Sequence, residues 1–129
     1  MKIPTTVFLV EDEPLITATI KGILHKSGYL VLGEQDNVPD AYNEILKLKP
    51  ELVLIDIQLY GNLDGVDLAL LLDEQNVPYF YLSSLADPIT SIRIKDTSPI
   101  SFIHKPFTVS GLKNKIQEAW NSYLQRESA

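Results

Sequence analysis

The chain has 129 residues, of which 17 are acidic and 11 are basic, so its formal net charge at neutral pH is −6. This length suits one domain of about 100–150 residues, and a hydrophobic content of 45% is enough for a core and argues against intrinsic disorder. The negative charge argues against direct contact with nucleic acid or an anionic membrane, and the lack of cysteine excludes disulfides, thiolate metal sites and cysteine nucleophiles. No apolar run is long enough to span a bilayer and no secretory leader opens the chain, so we expect a soluble, cytoplasmic domain.

Five short apolar runs are predicted to be β-strands. The clearest, residues 6–10, is apolar throughout after its first position, as expected for a strand buried on both faces. It ends in the acidic cluster 11–13, and the equally apolar third run ends at Asp56. The predicted strands are residues 6–10, 29–32, 52–55, 79–82 and 100–103.

The segments between these runs have helical spacing. Ile16, Ile20 and Leu24 lie on one face of a helix, Pro14 suits its first turn and Gly28 suits its end. Similar patterns predict further helices from Asn37 to before Pro50, from Val66 to Gln75, over a short span from Asp87-Pro88, and over residues 112–123.

Five strand–helix units joined by short loops predict one α/β domain, in which a doubly wound parallel sheet is covered by five helices on both faces. We expect the domain to span residues 1–125, with a polar tail over 126–129. Sheets of this kind bind ligands at the carboxyl ends of their strands. The residues that directly follow the apolar runs are therefore the candidates for a functional site.

Chemically versatile residues follow four of the five runs. Glu11 and Asp12 follow the first, Asp56 the third, Ser83 the fourth and Lys105 the fifth. Carboxylates brought together raise each other's pKa, and a hard divalent cation such as Mg²⁺, Mn²⁺ or Ca²⁺ relieves the repulsion. A lysine and a hydroxyl can hold phosphate oxygens. This set of groups suits phosphoryl transfer onto an aspartate.

Four motifs follow one another at characteristic spacing. They are Val10-Glu11-Asp12-Glu13-Pro14; Leu54-Ile55-Asp56-Ile57-Gln58-Leu59 with Gly61 and Asp64-Gly65; Tyr81-Leu82-Ser83-Ser84; and Phe102-Ile103-His104-Lys105-Pro106-Phe107. In this order they resemble the motifs of the receiver domain of two-component response regulators, and the resemblance covers essentially the whole chain. It implies a flavodoxin-like sheet with strand order 2-1-3-4-5.

The resemblance also implies the chemistry of the site. Asp56 would accept the phosphoryl group, and Asp12 would be the main side-chain ligand of Mg²⁺ or Mn²⁺. Glu11 would help directly or through water, and Asp56 and the backbone carbonyl of Gln58 would complete the protein ligands. A domain of this kind catalyses only its own phosphorylation and dephosphorylation.

Further expectations concern phosphate binding and signalling. The resemblance implies that Ser83 and Lys105 bind the phosphoryl oxygens, that Phe102 is the switch aromatic, and that the Lys105-Pro106 bond is cis. The donor would be a sensor histidine kinase or a phosphotransfer protein, and the target a downstream protein or an appended output domain. Relatives often dimerise weakly through the face formed by the fourth helix, fifth strand and fifth helix.

Two alternatives stay open from the sequence. A phosphatase of the haloacid-dehalogenase type also uses a strand-end aspartate, Mg²⁺ and a lysine, but its signature has a second aspartate where this chain has Gln58. An interaction module that no longer needs phosphate is the other alternative. Gln58 and Leu85 occupy positions that tune autodephosphorylation in the family, so the resemblance implies that they affect the lifetime of the phosphorylated state.

Overall fold

The computed structural model describes residues 5–84 and 87–128. Within these ranges, strands and helices alternate along the chain, five of each. The strands are Thr6–Val10 (β1), Leu30–Gln35 (β2), Leu52–Asp56 (β3), Tyr79–Ser83 (β4) and Ser101–His104 (β5). The helices are Pro14–Lys26 (α1), Val38–Leu48 (α2), Gly65–Glu74 (α3), Pro88–Ile94 (α4) and Val109–Ser128 (α5).

The described strands form one parallel sheet in the order β2-β1-β3-β4-β5. The chain therefore moves outward from β1 to β2, returns across β1 to β3, and continues outward in the other direction. The reversal lies between β1 and β3, and the carboxyl ends of all these strands meet at one edge. The predicted fold and strand order are confirmed.

Apolar side chains fill two layers, one on each face of the sheet. One layer packs α2 and α3 on the sheet, and the other packs α1 and α5 on the opposite face. β1, β3 and β4 lie in the middle of the sheet and are buried almost throughout, whereas both faces of the edge strand β2 are only partly covered. The residues at the ends of the three central strands are therefore positioned by well-packed strands. No helix within the described ranges has both the length and the apolar character needed to cross a membrane.

Side-chain caps lie at three helix starts, and those at Asn37 and Asp87 were predicted from the sequence. The Asn37 side chain accepts a hydrogen bond from the Asp40 amide at 3.0 Å, and the Asp87 side chain accepts one from the Thr90 amide at 2.8 Å, so both cap their helices. α3 begins with a capping box, in which Asp64 and Asp67 each accept a bond from the other's amide.

The end of β2 and the extent of α5 differ from the predictions by more than one residue. β2 continues to Gln35 instead of ending at residue 32, because backbone pairing with β1 persists after the apolar signal stops. α5 continues to Ser128, so residues 126–128 of the predicted tail form its last turn. Arg126 and Glu127 favour helix, and neither glycine nor proline interrupts the segment. Ala129 lies outside the described residues.

Gly65 is required by a close approach of two backbone segments. A Cβ at this position would lie 2.7 Å from the Cα of Ile57 and closer still to the Asp56 carbonyl oxygen. The Gly65 amide uses this proximity to donate a hydrogen bond to the Ile57 carbonyl at 2.8 Å. The start of α3 is thereby tied to the segment that follows Asp56.

We expect Gly65→Ala to lower the free energy of unfolding by about 1–3 kcal/mol, because rigid backbone atoms occupy the space the methyl group needs. Gly22→Ala is the matched control. Gly22 lies inside α1, where a methyl group would meet no side chain and no other element within 4 Å, so alanine should be neutral or stabilise by up to about 1 kcal/mol. Urea unfolding of both variants measures the difference, and equal effects would contradict the assignment.

Candidate functional site

Three carboxyl groups meet at the carboxyl edge of the sheet. One ligand atom from each of Glu11, Asp12 and Asp56 lies within 4.8 Å of the others. β1 leads into Glu11 and Asp12, and β3, its neighbour in the sheet, ends at Asp56. The predicted acidic cluster therefore forms where two adjacent central strands end.

Lys105 joins this cluster from the far edge strand. Its Nζ donates to Glu11 Oε2 at 2.8 Å and to Asp56 Oδ2 at 3.3 Å. The side chain of Glu11 is fully buried and that of Lys105 is 13% exposed. The cluster contains three carboxylates and one ammonium group. Its excess negative charge is not neutralised by the other described side chains of the site.

Backbone amides also bind these carboxylates. Asp56 Oδ1 accepts a hydrogen bond from the Gln58 amide at 3.1 Å, and Glu11 Oε1 accepts one from the Glu13 amide at 3.3 Å. Each strand-end carboxylate is thus oriented by the residue two positions later in the chain. The carbonyl of Gln58 is part of the same turn.

Burial dominates the titration of the cluster. It raises the pKa of Glu11 from 4.5 to about 7 against the opposing hydrogen bond from Lys105, with the charge of Asp56 adding to the rise. Burial likewise raises the pKa of Asp56, against the charge of Lys105. For Lys105, burial acts to lower the pKa, but its contacts with the two carboxylates outweigh this and the pKa is raised.

Ser83 has a buried hydroxyl that the described protein groups do not satisfy. The residue is 1% exposed, and its Oγ has no hydrogen-bond partner within the described ranges. Leu82, the preceding residue, pairs with Asp56 across the sheet, and the Lys105 amide donates to the Ser83 carbonyl at 2.9 Å. A buried polar atom without a partner costs stability, so it marks a place where a ligand oxygen would bind favourably. Ser84, the other hydroxyl at this strand end, is exposed.

An open cleft of about 440 Å³ leads from solvent to the cluster. Its lining includes Asp12, Asp56 and Lys105, together with Leu59 and Tyr60 from the loop after β3. Leu59 and Tyr60 were not among the predicted site residues. Their position in the loop after a strand-end aspartate is the only sequence signal that points to them.

Phe102 lies apart from the carboxyl cluster. Its half-buried ring packs against the layer formed with α2 and α3, 5.9 Å from the ring of Tyr81 and 4.8 Å from that of His104. The Lys105-Pro106 bond is cis, as expected. Leu85, for which a tuning role was predicted, lies outside the described residues.

The residues present fit a divalent cation. Carboxylate oxygens from three residues converge, and hard oxygen donors without histidine or thiolate are those that Mg²⁺ prefers. Asp12 and Asp56 both face the cleft from which such an ion would enter.

Comparisons with known proteins agree on one family. A family model described as the response regulator receiver domain matches residues 7–117. The chain is 28% identical over 124 residues to the transcriptional regulatory protein PdtaR of Mycobacterium tuberculosis, covering 95% of this chain and 60% of that protein. It is 35% identical over 112 residues to the sensory transduction protein BceR of Halalkalibacterium halodurans, covering 86% of this chain and 48% of BceR.

A solved structure extends this agreement to the fold. The signal receiver domain of a modulated diguanylate cyclase from Desulfovibrio desulfuricans G20 is 34% identical and superposes with a TM-score of 0.86. The match covers 96% of this chain and 99% of that one. The chain thus spans a whole receiver domain of known structure but only about half to three fifths of the two curated relatives.

The buried carboxyl of Glu11 makes the stability of the protein depend on pH. The stability that the protein gains from burying Glu11 in its neutral form is fully present below pH 4.5. It is lost as the pH rises through about 7, because the folded state then holds a buried charge. Without divalent cations, we expect Glu11→Gln to be more stable than the parent by about 1–3 kcal/mol at pH 8 and little different at pH 4.5.

Urea unfolding in a chelating buffer at the two pH values measures this effect. Glu118→Gln, the same substitution at an exposed position of α5, serves as the control and should show no such pH dependence. An equal stability difference at both pH values for Glu11→Gln would show that folding does not raise the pKa of Glu11.

Proposed function

Because the chain belongs to the response regulator receiver domain family, which acts in two-component signalling, we propose that Asp56 accepts a phosphoryl group in the presence of Mg²⁺. The observation that carries this proposal is the arrangement around Asp56. The Asp56 carboxylate contacts Lys105 at 3.3 Å. Ser83 follows Leu82, the residue that pairs with Asp56 on the adjacent strand, and its buried hydroxyl has no partner among the described residues.

Asp56 is the nucleophile in this proposal. One of its carboxylate oxygens attacks phosphorus in line, and the new O–P bond forms as the bond to the donor breaks. With a phosphohistidine donor, the imidazole nitrogen retains the electron pair of the broken P–N bond. The hydrogen bond from the Gln58 amide holds the carboxylate in one orientation for this attack.

Lys105 and Ser83 would hold the transferred group. The Lys105 ammonium already lies beside Asp56 Oδ2, so it is placed to donate to a phosphoryl oxygen without a large movement. The Ser83 hydroxyl has a hydrogen to donate and no described protein acceptor. Both groups stabilise charge on the phosphoryl oxygens, which is the main task of a phosphoryl-transfer site.

Glu11, Asp12, Asp56 and the carbonyl of Gln58 are the residues that would hold Mg²⁺ or Mn²⁺. The bound ion would supply positive charge that offsets the phosphoryl oxygens. Before phosphorylation, the uncompensated charge of the carboxylates favours cation binding. We therefore expect metal affinity to rise with pH as Glu11 loses its proton around pH 7.

The proposed partners follow from the same chemistry. A sensor histidine kinase or a phosphotransfer protein would supply the phosphoryl group. The output would be a change at the face of α4, β5 and α5, where Phe102 lies on β5, and it would act on a separate protein or on a segment joined to this domain in a longer protein. A weak homodimer through that face is part of the same proposal.

Replacing the acceptor tests the proposal most directly. We expect the parent protein to gain up to one acid-labile phosphoryl group per molecule from acetyl phosphate and Mg²⁺, and Asp56→Asn to gain none, because an amide is not a nucleophile in this step. Intact-mass spectrometry measures the product. Asp96→Asn, an exposed control just after α4, should behave like the parent.

Each other outcome is informative. Phosphorylation of Asp56→Asn to the parental extent would refute the acceptor assignment. Continuous hydrolysis of a small phosphate ester would favour a phosphatase of the haloacid-dehalogenase type. If the parent shows neither phosphorylation nor Mg²⁺ binding at millimolar concentration by calorimetry, it is a phosphate-independent interaction module.

Ser83 provides a second test, which separates function from stability. Ser83→Ala should leave the free energy of unfolding unchanged or slightly higher, because it removes an unsatisfied buried hydroxyl. It should slow phosphorylation by about 10–100-fold, since a hydrogen bond to a charged group is lost. Ser83→Thr should retain most of the phosphorylation rate. Ser84→Ala should reduce that rate less than Ser83→Ala does. The reverse order of the two alanine variants would assign the role to Ser84.

A further inference from the structure

α4 is held against the sheet with little apolar burial. All its residues lie within the described ranges and none is buried, and Ile89 and Ile92 are 74% and 64% exposed. Only Ile94 packs, partly buried, against the adjoining core layer. The position of α4 therefore depends more on polar contacts than the positions of the other helices do.

Arg93 makes the most extensive of these polar contacts. Its guanidinium donates to both carboxylate oxygens of Asp64, at 2.7 and 3.2 Å, and to Asp67 Oδ1 at 2.9 Å. The geometry towards Asp64 is the two-pronged pairing that suits a guanidinium and a carboxylate. Although burial alone would raise the pKa of Asp64, Arg93 holds that pKa below its usual value.

Both acceptors of Arg93 belong to the start of α3. Asp64 caps the helix by accepting from the amides of Val66 and Asp67, and Asp67 accepts from the Asp64 amide in return. Between them, the Gly65 amide donates to the Ile57 carbonyl at 2.8 Å. Arg93 is therefore connected by consecutive short contacts to the segment that directly follows Asp56.

We propose that Arg93 is a positioning residue that holds the loop after Asp56 in its phosphate-accepting geometry and links that geometry to the position of α4. This inference rests on the proposed function of Asp56. Arg93 acts through Asp64 and Asp67, which fix the start of α3, and through the Gly65–Ile57 hydrogen bond, which fixes the turn carrying Gln58.

An exposed ion pair with no role in positioning is the competing explanation. Such pairs contribute little to stability and nothing to the geometry of a distant loop. The two explanations differ at the Gly65 amide, whose hydrogen bond crosses from α3 to the segment after Asp56. A positioning role requires that this bond weaken when Arg93 is replaced.

Amide hydrogen exchange and phosphorylation kinetics together test the proposal. In Arg93→Gln we expect protection of the Gly65 amide to fall about tenfold while amides of β1 and β3 keep theirs. We expect the rate of phosphorylation by acetyl phosphate and Mg²⁺ to fall about tenfold as well. Arg93→Lys should recover part of both losses, because it restores one charge without the two-pronged contact.

Lys95→Gln is the matched control, since it removes the same charge from an exposed position at the end of α4. It should leave both measurements as in the parent. Combining Arg93→Gln with Asp67→Asn should produce less than the sum of the separate losses, as residues of one network do. Equal exchange and equal phosphorylation in Arg93→Gln and Lys95→Gln would overturn the proposal.

The design separates this inference from the proposed function. If the parent accepts no phosphoryl group, the proposed function fails, and the exchange of the Gly65 amide alone decides whether Arg93 positions the loop. If protection falls uniformly over the whole sheet in Arg93→Gln, the residue stabilises the fold in general and the positioning role is refuted. Loss of protection confined to the start of α3, with normal phosphorylation, refutes the link to Asp56.

Discussion

The structure is organised around the burial of like charges at the ends of two adjacent strands. Glu11 and Asp56 are removed from water by the sheet and lie close enough to repel each other. Lys105 lessens the repulsion by contacting both, and it reaches them from β5, two strands away from β3 in the sheet. The single positive charge of Lys105 cannot balance three carboxylates, so binding of a cation would stabilise the cluster.

That arrangement is tolerable only because the rest of the sheet is apolar and well packed. β1 and β3 are covered on both faces by helices, so their polar residues appear only where the backbone ladder ends. The unsatisfied hydroxyl of Ser83 is the same kind of cost on the next strand. These costs concentrate in one small region. A bound cation would relieve the repulsion between the carboxylates, and an oxygen of a bound phosphoryl group would accept a hydrogen bond from Ser83.

How far the sequence allowed prediction depends on how each feature is encoded. Asp56 and Lys105 could be assigned to one site because every strand of a parallel sheet ends at the same edge, so their distance along the chain did not matter. The extension of β2 to Gln35 could not be predicted, because edge pairing uses backbone groups and leaves no apolar pattern. The contact of Arg93 with α3 was equally unreadable, since a partly exposed arginine has no sequence feature that names its partner.

α4, the helix with no buried side chain, is attached to elements that carry the site. Arg93 connects α4 to the start of α3, while the Tyr81 hydroxyl donates at 2.8 Å to the Oγ1 of Thr97, three residues after the end of α4. Tyr81 lies two residues before Ser83 on β4, and its ring also packs against Phe102. A shift at the end of β4 would therefore reach α4 by a contact separate from the one through Arg93. Because none of its side chains is buried, α4 lacks the apolar packing that fixes the other helices in place.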